Sequence, residues 1–125
     1  MNKFAIFGDG KNFDYADVEN ELSYLVFPDD VLIVLSGGME SLIYRYAKKH
    51  SVNLMIVFSK LKYQMPYATA DQRFTALLLC DHIITFNTKG QENTKDIEQK
   101  AVDVGKGVTR IVKDKKGIVC AVDKP

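Results

Sequence analysis

The chain has almost no excess of charge: seventeen lysines and arginines face sixteen aspartates and glutamates, a formal +1. A surface so balanced makes no bulk field to gather nucleic acid or anionic membrane. Cysteine is scarce as well. Cys80 and Cys120 are the only two, each inside an apolar run, with no CxxC and no Cys/His cluster at zinc spacing. Two buried thiols in a reducing compartment are therefore expected, rather than a disulfide. His50 and His82 lack partners at ligand spacing, so both read as structural and no metal site is assigned. No apolar run reaches the length of a membrane span. Gly8-Asp9-Gly10-Lys11-Asn12 interrupts the segment that would have to be a signal peptide's apolar core. These absences point to a cytoplasmic protein without membrane partners. No repeat, low-complexity tract or linker divides the sequence, so residues 1–125 read as one domain. A chain of this length buries roughly two-thirds of its unfolded surface, enough for a core of its own. Nothing calls for a cofactor.

What is present is organised around Val31 to His50. Val31-Leu32-Ile33-Val34-Leu35 is too short for a membrane and suits a strand covered on both faces. Ser36-Gly37-Gly38 then turns the chain. Met39, Leu42, Ile43, Tyr46 and Ala47 follow at three- and four-residue steps, the apolar stripe of an amphipathic helix. The same alternation runs through the rest of the chain. Lys3 to Phe7, Asn53 to Phe58, His82 to Phe86 and Val108 to Val112 read as strands. Helices are expected after Asp14 (inner face Val18, Leu22, Leu25), from Ala70 (Phe74, Leu77, Leu78, ending near Cys80) and after Asn93 or Thr94 (Ile97, Ala101, Val104). Ser59 to Thr69 is a polar connection bearing Tyr63 and Tyr67. Asp114-Lys115-Lys116-Gly117 reads as a hairpin turn into Ile118 to Val122. Strands alternating with helices imply right-handed crossovers. The expected architecture is a three-layer, Rossmann-like α/β sandwich, with a mostly parallel five-stranded sheet and a C-terminal antiparallel strand.

In such sheets ligands bind at the carboxyl ends of strands, near the point where strand order reverses. Three loops leave strand ends with suitable chemistry: Gly8-Asp9-Gly10-Lys11, Ser36-Gly37-Gly38, and Thr88-Lys89-Gly90 through Asn93-Thr94. Glycines admit close backbone approach, helix starts offer N–H donors, and Lys or Thr adds charge or a hydroxyl. Together they describe a pocket for a phosphate-bearing small molecule, most naturally a nucleotide. Glu40, in the first turn of a helix, either complements the macrodipole or serves a ribose hydroxyl or proton transfer. Arg73 is either a solvated or ion-paired arginine or a phosphate clamp. Asp9 either satisfies its own loop or meets a ribose. Tyr63 and Tyr67 either stack on a base or cover the sheet edge. Lys113, Lys115 and Lys116 read as a solvated turn.

Phe7-Gly8-Asp9-Gly10 with Asn12-Phe13-Asp14-Tyr15, Val34-Leu35-Ser36-Gly37-Gly38 with Tyr46-Ala47-Lys48-Lys49-His50, Arg73, and Ile83 through Gly90 with Asn93-Thr94-Lys95 form a pattern. From about Lys3 to Val112 it resembles the SLOG superfamily, and within it the small YspA-like branch. The resemblance implies a Rossmann-like fold binding nucleotides or nucleotide-derived ligands, with the phosphoribohydrolases of the LOG type as cousins. It places Gly8 at the first-loop glycine, Ser36, Gly37 and Gly38 at the second turn, and Glu40 at the family's Asp. Arg73 falls at its arginine and Thr94 at its phosphate-binding threonine. The second turn is shorter than the family's, Phe74 replaces an Asn and Asn93 a Gly. Ile97 stands where LOG enzymes carry a catalytic Glu, with Asp96 and Glu98 alongside.

Retained glycine turns beside departed catalytic positions favour a ligand-binding domain, a sensor or sequestering protein. An N-glycosidase acting on nucleoside monophosphates, with Glu40, Asp96 or Glu98 as the catalytic carboxylate and Arg73 and Thr94 holding the phosphate, is the alternative. A third reading is an interaction module working through a homo-oligomeric face.

Overall fold

The computed structural model describes residues 1–58 and 73–124. Its strands are β1 (Lys3–Gly8), β2 (Val31–Leu35), β3 (Asn53–Val57), β4 (His82–Thr88), β5 (Gly107–Lys113) and β6 (Val119–Lys124). Between them lie α1 (Tyr15–Leu25), α2 (Glu40–His50), α3 (73–79) and α4 (Lys95–Asp103). The strands form one sheet in the order β3-β2-β1-β4-β5-β6. The first five are parallel and only β6 runs antiparallel, against β5. The chain builds outward from β1 to β3, then crosses back to place β4 on β1's other side. Strand order therefore reverses between β1 and β4, where Ile6 lies beside Ile84.

Alternation along the central strands explains the layers. Phe4, Ile6, Leu32 and Val34 pack against Val18 and Leu22 of α1 and Ile43 and Tyr46 of α2. Their neighbours Ala5, Phe7 and Ile33 face the opposite layer, against Ala76 and Leu77 of α3 and Ile97 and Ala101 of α4. Side chains pointing alternately up and down a parallel strand must be apolar on both faces when helices cover both. The β2 run reads that way, and its three central residues are buried. This is the Rossmann-like sandwich expected from the sequence, with the added antiparallel strand. No helix among the described residues is long and apolar enough to cross a membrane.

Polar clamps hold the α1–α2 layer together. Asp17 Oδ2 accepts from the Asp14 amide at 3.3 Å, fixing the start of α1. Glu19 Oε2 receives Lys49 Nζ and His50 Nε2, each at 2.8 Å, and the Tyr15 hydroxyl at 3.0 Å. Lys49 and His50 hold the Glu19 carboxyl down at about 2, while burial and Glu19 push the Tyr15 phenol up to about 12. His50 is thus a link between α1 and α2.

Several expected positions differ. Phe74 and Leu78 of α3 point outward, and Ala76, Leu77 and Cys80 face the sheet. Leu77 is buried as expected, but beside it the inner positions next to α3 are filled by the small residues Ala76 and Cys80 rather than by Phe74 or Leu78. Val104 is exposed because α4 ends at Asp103, leaving Val104 beyond its last turn. Cys80 is buried but Cys120 is exposed, since β6 is the outermost strand and only the Val119 side of it packs on the core. The connection carrying Tyr63 and Tyr67, and the helix start at Ala70, lie outside the described residues. The hairpin turn is as expected: Asp114 Oδ1 accepts from the amides of Lys116 and Ile118, both at 2.8 Å.

Candidate functional site

Glycine decides the geometry at the carboxyl end of β1. Gly8 has φ +149°, and a Cβ there would sit 2.5 Å from the Phe86 carbonyl oxygen of β4. No side chain fits that approach. Two residues on, a Cβ at Gly10 would lie 2.8 Å from the Gly38 carbonyl oxygen, and one at Gly38 3.1 Å from the Gly8 carbonyl oxygen. The β1 loop and the β2 turn are therefore interlocked backbone to backbone. Asp9 Oδ1 accepts from the Lys11 amide at 3.0 Å and closes the first loop.

That interlock splits the strand-end region in two, with Gly8 as the shared wall. The larger cleft, about 220 Å3, lies over the ends of β1 and β2. Its walls are Gly8, Ser36, Gly37, Gly38, Met39 and Arg73, and its floor is the strand ends themselves. The smaller hollow sits at the strand-order reversal, between Gly8, Asp9 and Asn12 on one side and Asn87, Thr88, Asn93 and Thr94 on the other. At about 20 Å3 it has room for about one water molecule. The three loops expected to share one pocket thus form two, because the contact of Gly10 with Gly38 fills the space between. Lys89 and Gly90 form the exposed tip of the turn after β4, where Gly90 has φ +90°.

Arg73, from α3, is the cation of the larger cleft. Its side chain is 27% exposed and its Nη1 lies 3.3 Å from Asp96 Oδ2, an ion pair whose acidic partner is 65% exposed. A pair this open contributes about 0–1 kcal/mol, so an entering anion competes with Asp96 on favourable terms. At the mouth of α2, Glu40 Oε1 accepts from the Gly37 amide at 2.8 Å, and the Glu40 amide bonds back to the Gly37 carbonyl. The second turn therefore already holds a carboxylate of its own, and its first amide is engaged by it.

Thr94 and Glu98 belong to an interior network. Thr94 is the N-cap of α4 but makes no side-chain cap bond. Its Oγ1 lies 2.6 Å from Glu98 Oε2 and 2.9 Å from Asn87 Oδ1. Glu98 is 1% exposed; Thr85 Oγ1 donates to it at 2.9 Å and Arg110 Nε at 3.1 Å. Arg110 also pairs with Glu92. Burial works against the Arg110 charge, but Glu92 and Glu98 outweigh it and raise its pKa. Glu98 thus faces inward between α4, β4 and β5.

No protein-family model matches this chain, and no curated protein is significantly similar to it. The likeness to the SLOG superfamily stands on the motif residues alone. Of those, Gly8, Ser36, Gly37, Gly38 and Arg73 meet in the larger cleft, while Thr94 and Asn93 meet Gly8 and Asp9 across the smaller hollow. Among the described residues no group of three or more His, Cys, Asp or Glu could hold a metal ion.

Sequence reasoning missed the Thr85–Asn87–Thr94–Glu98–Arg110 network. Its signal was there: Thr85 and Asn87 stand two apart in β4, which puts both on one face of the strand, the face toward α4. Lys113, expected in a solvated turn, instead ends β5 with its side chain 20% exposed, and its Nζ reaches Asp17 Oδ2 at 3.0 Å and the Asn12 carbonyl at 3.1 Å. That amine ties the β1 loop to the start of α1.

Proposed function

We propose that the chain binds a phosphate-bearing small molecule, a nucleotide or nucleotide derivative, at the strand-end cleft between β1 and β2, as a sensor or sequestering domain. The observation that carries this reading is the placement of Arg73 over a cleft walled by Gly8, Gly37 and Gly38. Glycine walls let a ligand approach the backbone, and a guanidinium offers a forked donor to a phosphate. Among the described residues Arg73 is paired with the exposed Asp96 alone, so its charge is loosely held.

Binding is favoured over hydrolysis by the state of the carboxylates. Glu98 is sealed in the interior and paired with Arg110, and Glu40 is engaged with the Gly37 amide. A carboxylate acting on a glycosidic bond must reach the bond. Thermal-shift and calorimetric titration with nucleoside monophosphates, cyclic dinucleotides and ADP-ribose derivatives tests the reading. The expected result is saturable stabilisation that Arg73→Gln abolishes. Absence of binding by every member of that set overturns it, and release of free base from a nucleoside monophosphate would replace it with the hydrolase.

A further inference from the structure

The cleft at Arg73 is small for the ligand just proposed. Sites for small molecules usually enclose roughly 300–1,000 Å3, against about 220 Å3 here. The missing space lies next door. Gly37 and Gly38 also wall an open groove of about 540 Å3, whose other side is formed by Glu40, Ser41 and Tyr44 of α2. Only the Gly37–Gly38 turn separates the two, and it carries no side chain. Among the described residues, a Cβ placed at Gly37 would have no atom within 4 Å, so none of them stands above that ridge.

We propose that this groove is a second subsite, which takes the planar base of a nucleotide whose phosphate lies against Arg73. The proposal rests on the binding function assigned to the cleft, and adds where the uncharged end of the ligand goes. Tyr44 is 52% exposed, a large aromatic surface left toward solvent on the same helix face as Glu40, one turn earlier. Bases stack on such rings whatever their identity, because every base presents a π-face. Glu40 sets the direction of binding. Held at the turn by the Gly37 amide, its carboxylate repels a phosphate from the groove side, and Arg73 attracts one to the cleft side. The ligand therefore lies across the glycine ridge with its charged end toward α3 and its neutral end on α2.

The experiment is calorimetric titration of the full chain with adenosine 5′-monophosphate and with ribose 5-phosphate, comparing Tyr44→Ala, Tyr44→Phe and Arg73→Gln with the wild type. The wild type binds the nucleotide more tightly than the sugar phosphate. Tyr44→Ala weakens the nucleotide about tenfold or more, to the level of the sugar phosphate, and leaves the sugar phosphate unchanged. Tyr44→Phe, which keeps the ring, keeps the preference. Arg73→Gln weakens both ligands. If Arg73→Gln weakens both but Tyr44→Ala spares the nucleotide, or weakens the two equally, the groove is not a base subsite, although the cleft still binds phosphate. If the wild type binds neither ligand, the reading of the cleft fails and the subsite falls with it.

Discussion

Arg110 reaches from β5 to Glu98 on α4 and lies 3.1 and 3.2 Å from its two carboxylate oxygens through a single nitrogen, Nε. The pair joins the last parallel strand to the helix that begins at the strand-order reversal. Breaking a buried pair from one side strands a charge in a poor dielectric, at a cost of roughly 3–5 kcal/mol. Arg110→Met is therefore expected to destabilise the protein by about that amount in urea unfolding. Glu98→Gln, which keeps the volume and removes the charge, is expected to cost less. Equal, small effects in both would show that the pair does not hold α4.

Asp96 and an incoming phosphate compete for the Arg73 guanidinium. Asp96→Asn frees Arg73 from its exposed partner, so phosphate-bearing ligands are expected to bind up to several-fold tighter, in line with the ~0–1 kcal/mol of an open ion pair. Arg73→Gln is expected to weaken them at least tenfold, since a charge-assisted contact to phosphate is among the stronger hydrogen bonds. Titration calorimetry at fixed ionic strength reads both. Weaker binding in Asp96→Asn would mean that Asp96 orients the arginine rather than occupying it.

His82 is held in one tautomer by a relay at the opposite end of the sheet. Thr109 has a single hydroxyl proton and gives it to Asp123 Oδ1 at 2.6 Å. The 2.7 Å contact between His82 Nε2 and Thr109 Oγ1 then requires His82 to be the donor. Burial lowers the His82 pKa, only partly opposed by Asp123. The unfolded chain therefore takes up the proton first as pH falls through the ordinary histidine value of 6.5. The His82 contribution to stability is complete above that value and declines below it, down to the lowered folded pKa. His82→Gln is expected to flatten the stability profile in that acid window. Nitrogen-detected NMR should find the neutral ring protonated at Nε2, with its midpoint below 6.5; a midpoint above it would refute the assignment.

Gly8→Ala is expected to cost about 1–3 kcal/mol, the range for a strained backbone position, because its Cβ would meet the Phe86 carbonyl at 2.5 Å. The same substitution should reduce ligand binding, since both hollows share Gly8 as a wall. Thermal unfolding and calorimetry separate the two effects. An unchanged melting temperature would place β1 and β4 further apart than described.

The fold was legible because strands such as Val31–Leu35 are apolar throughout and helices such as α2 repeat apolar residues at helical steps. Local pattern and final packing agree there. Where small residues do the packing, as at Ala76 on α3, hydrophobic pattern pointed to Phe74 and Leu78 instead, and both turned out exposed. The site was legible as residue types but not as geometry. That Gly10 lies against Gly38, and that Glu40 reaches back to the Gly37 amide, depends on how two loops meet, which spacing along the chain does not encode. The inward turn of Thr94 is of the same kind: its partner Glu98 lies one helical turn on, but Asn87 comes from a neighbouring strand.

The placement of β1 between β2 and β4 has a consequence for synthesis. Its register with β2 is available early, whereas its other neighbour is His82–Thr88, far along the chain. A growing polypeptide emerging from the ribosome therefore carries one unpaired flank of β1 until residues 82–88 have been made. The wall built from Gly8 against Phe86 closes only once β4 arrives.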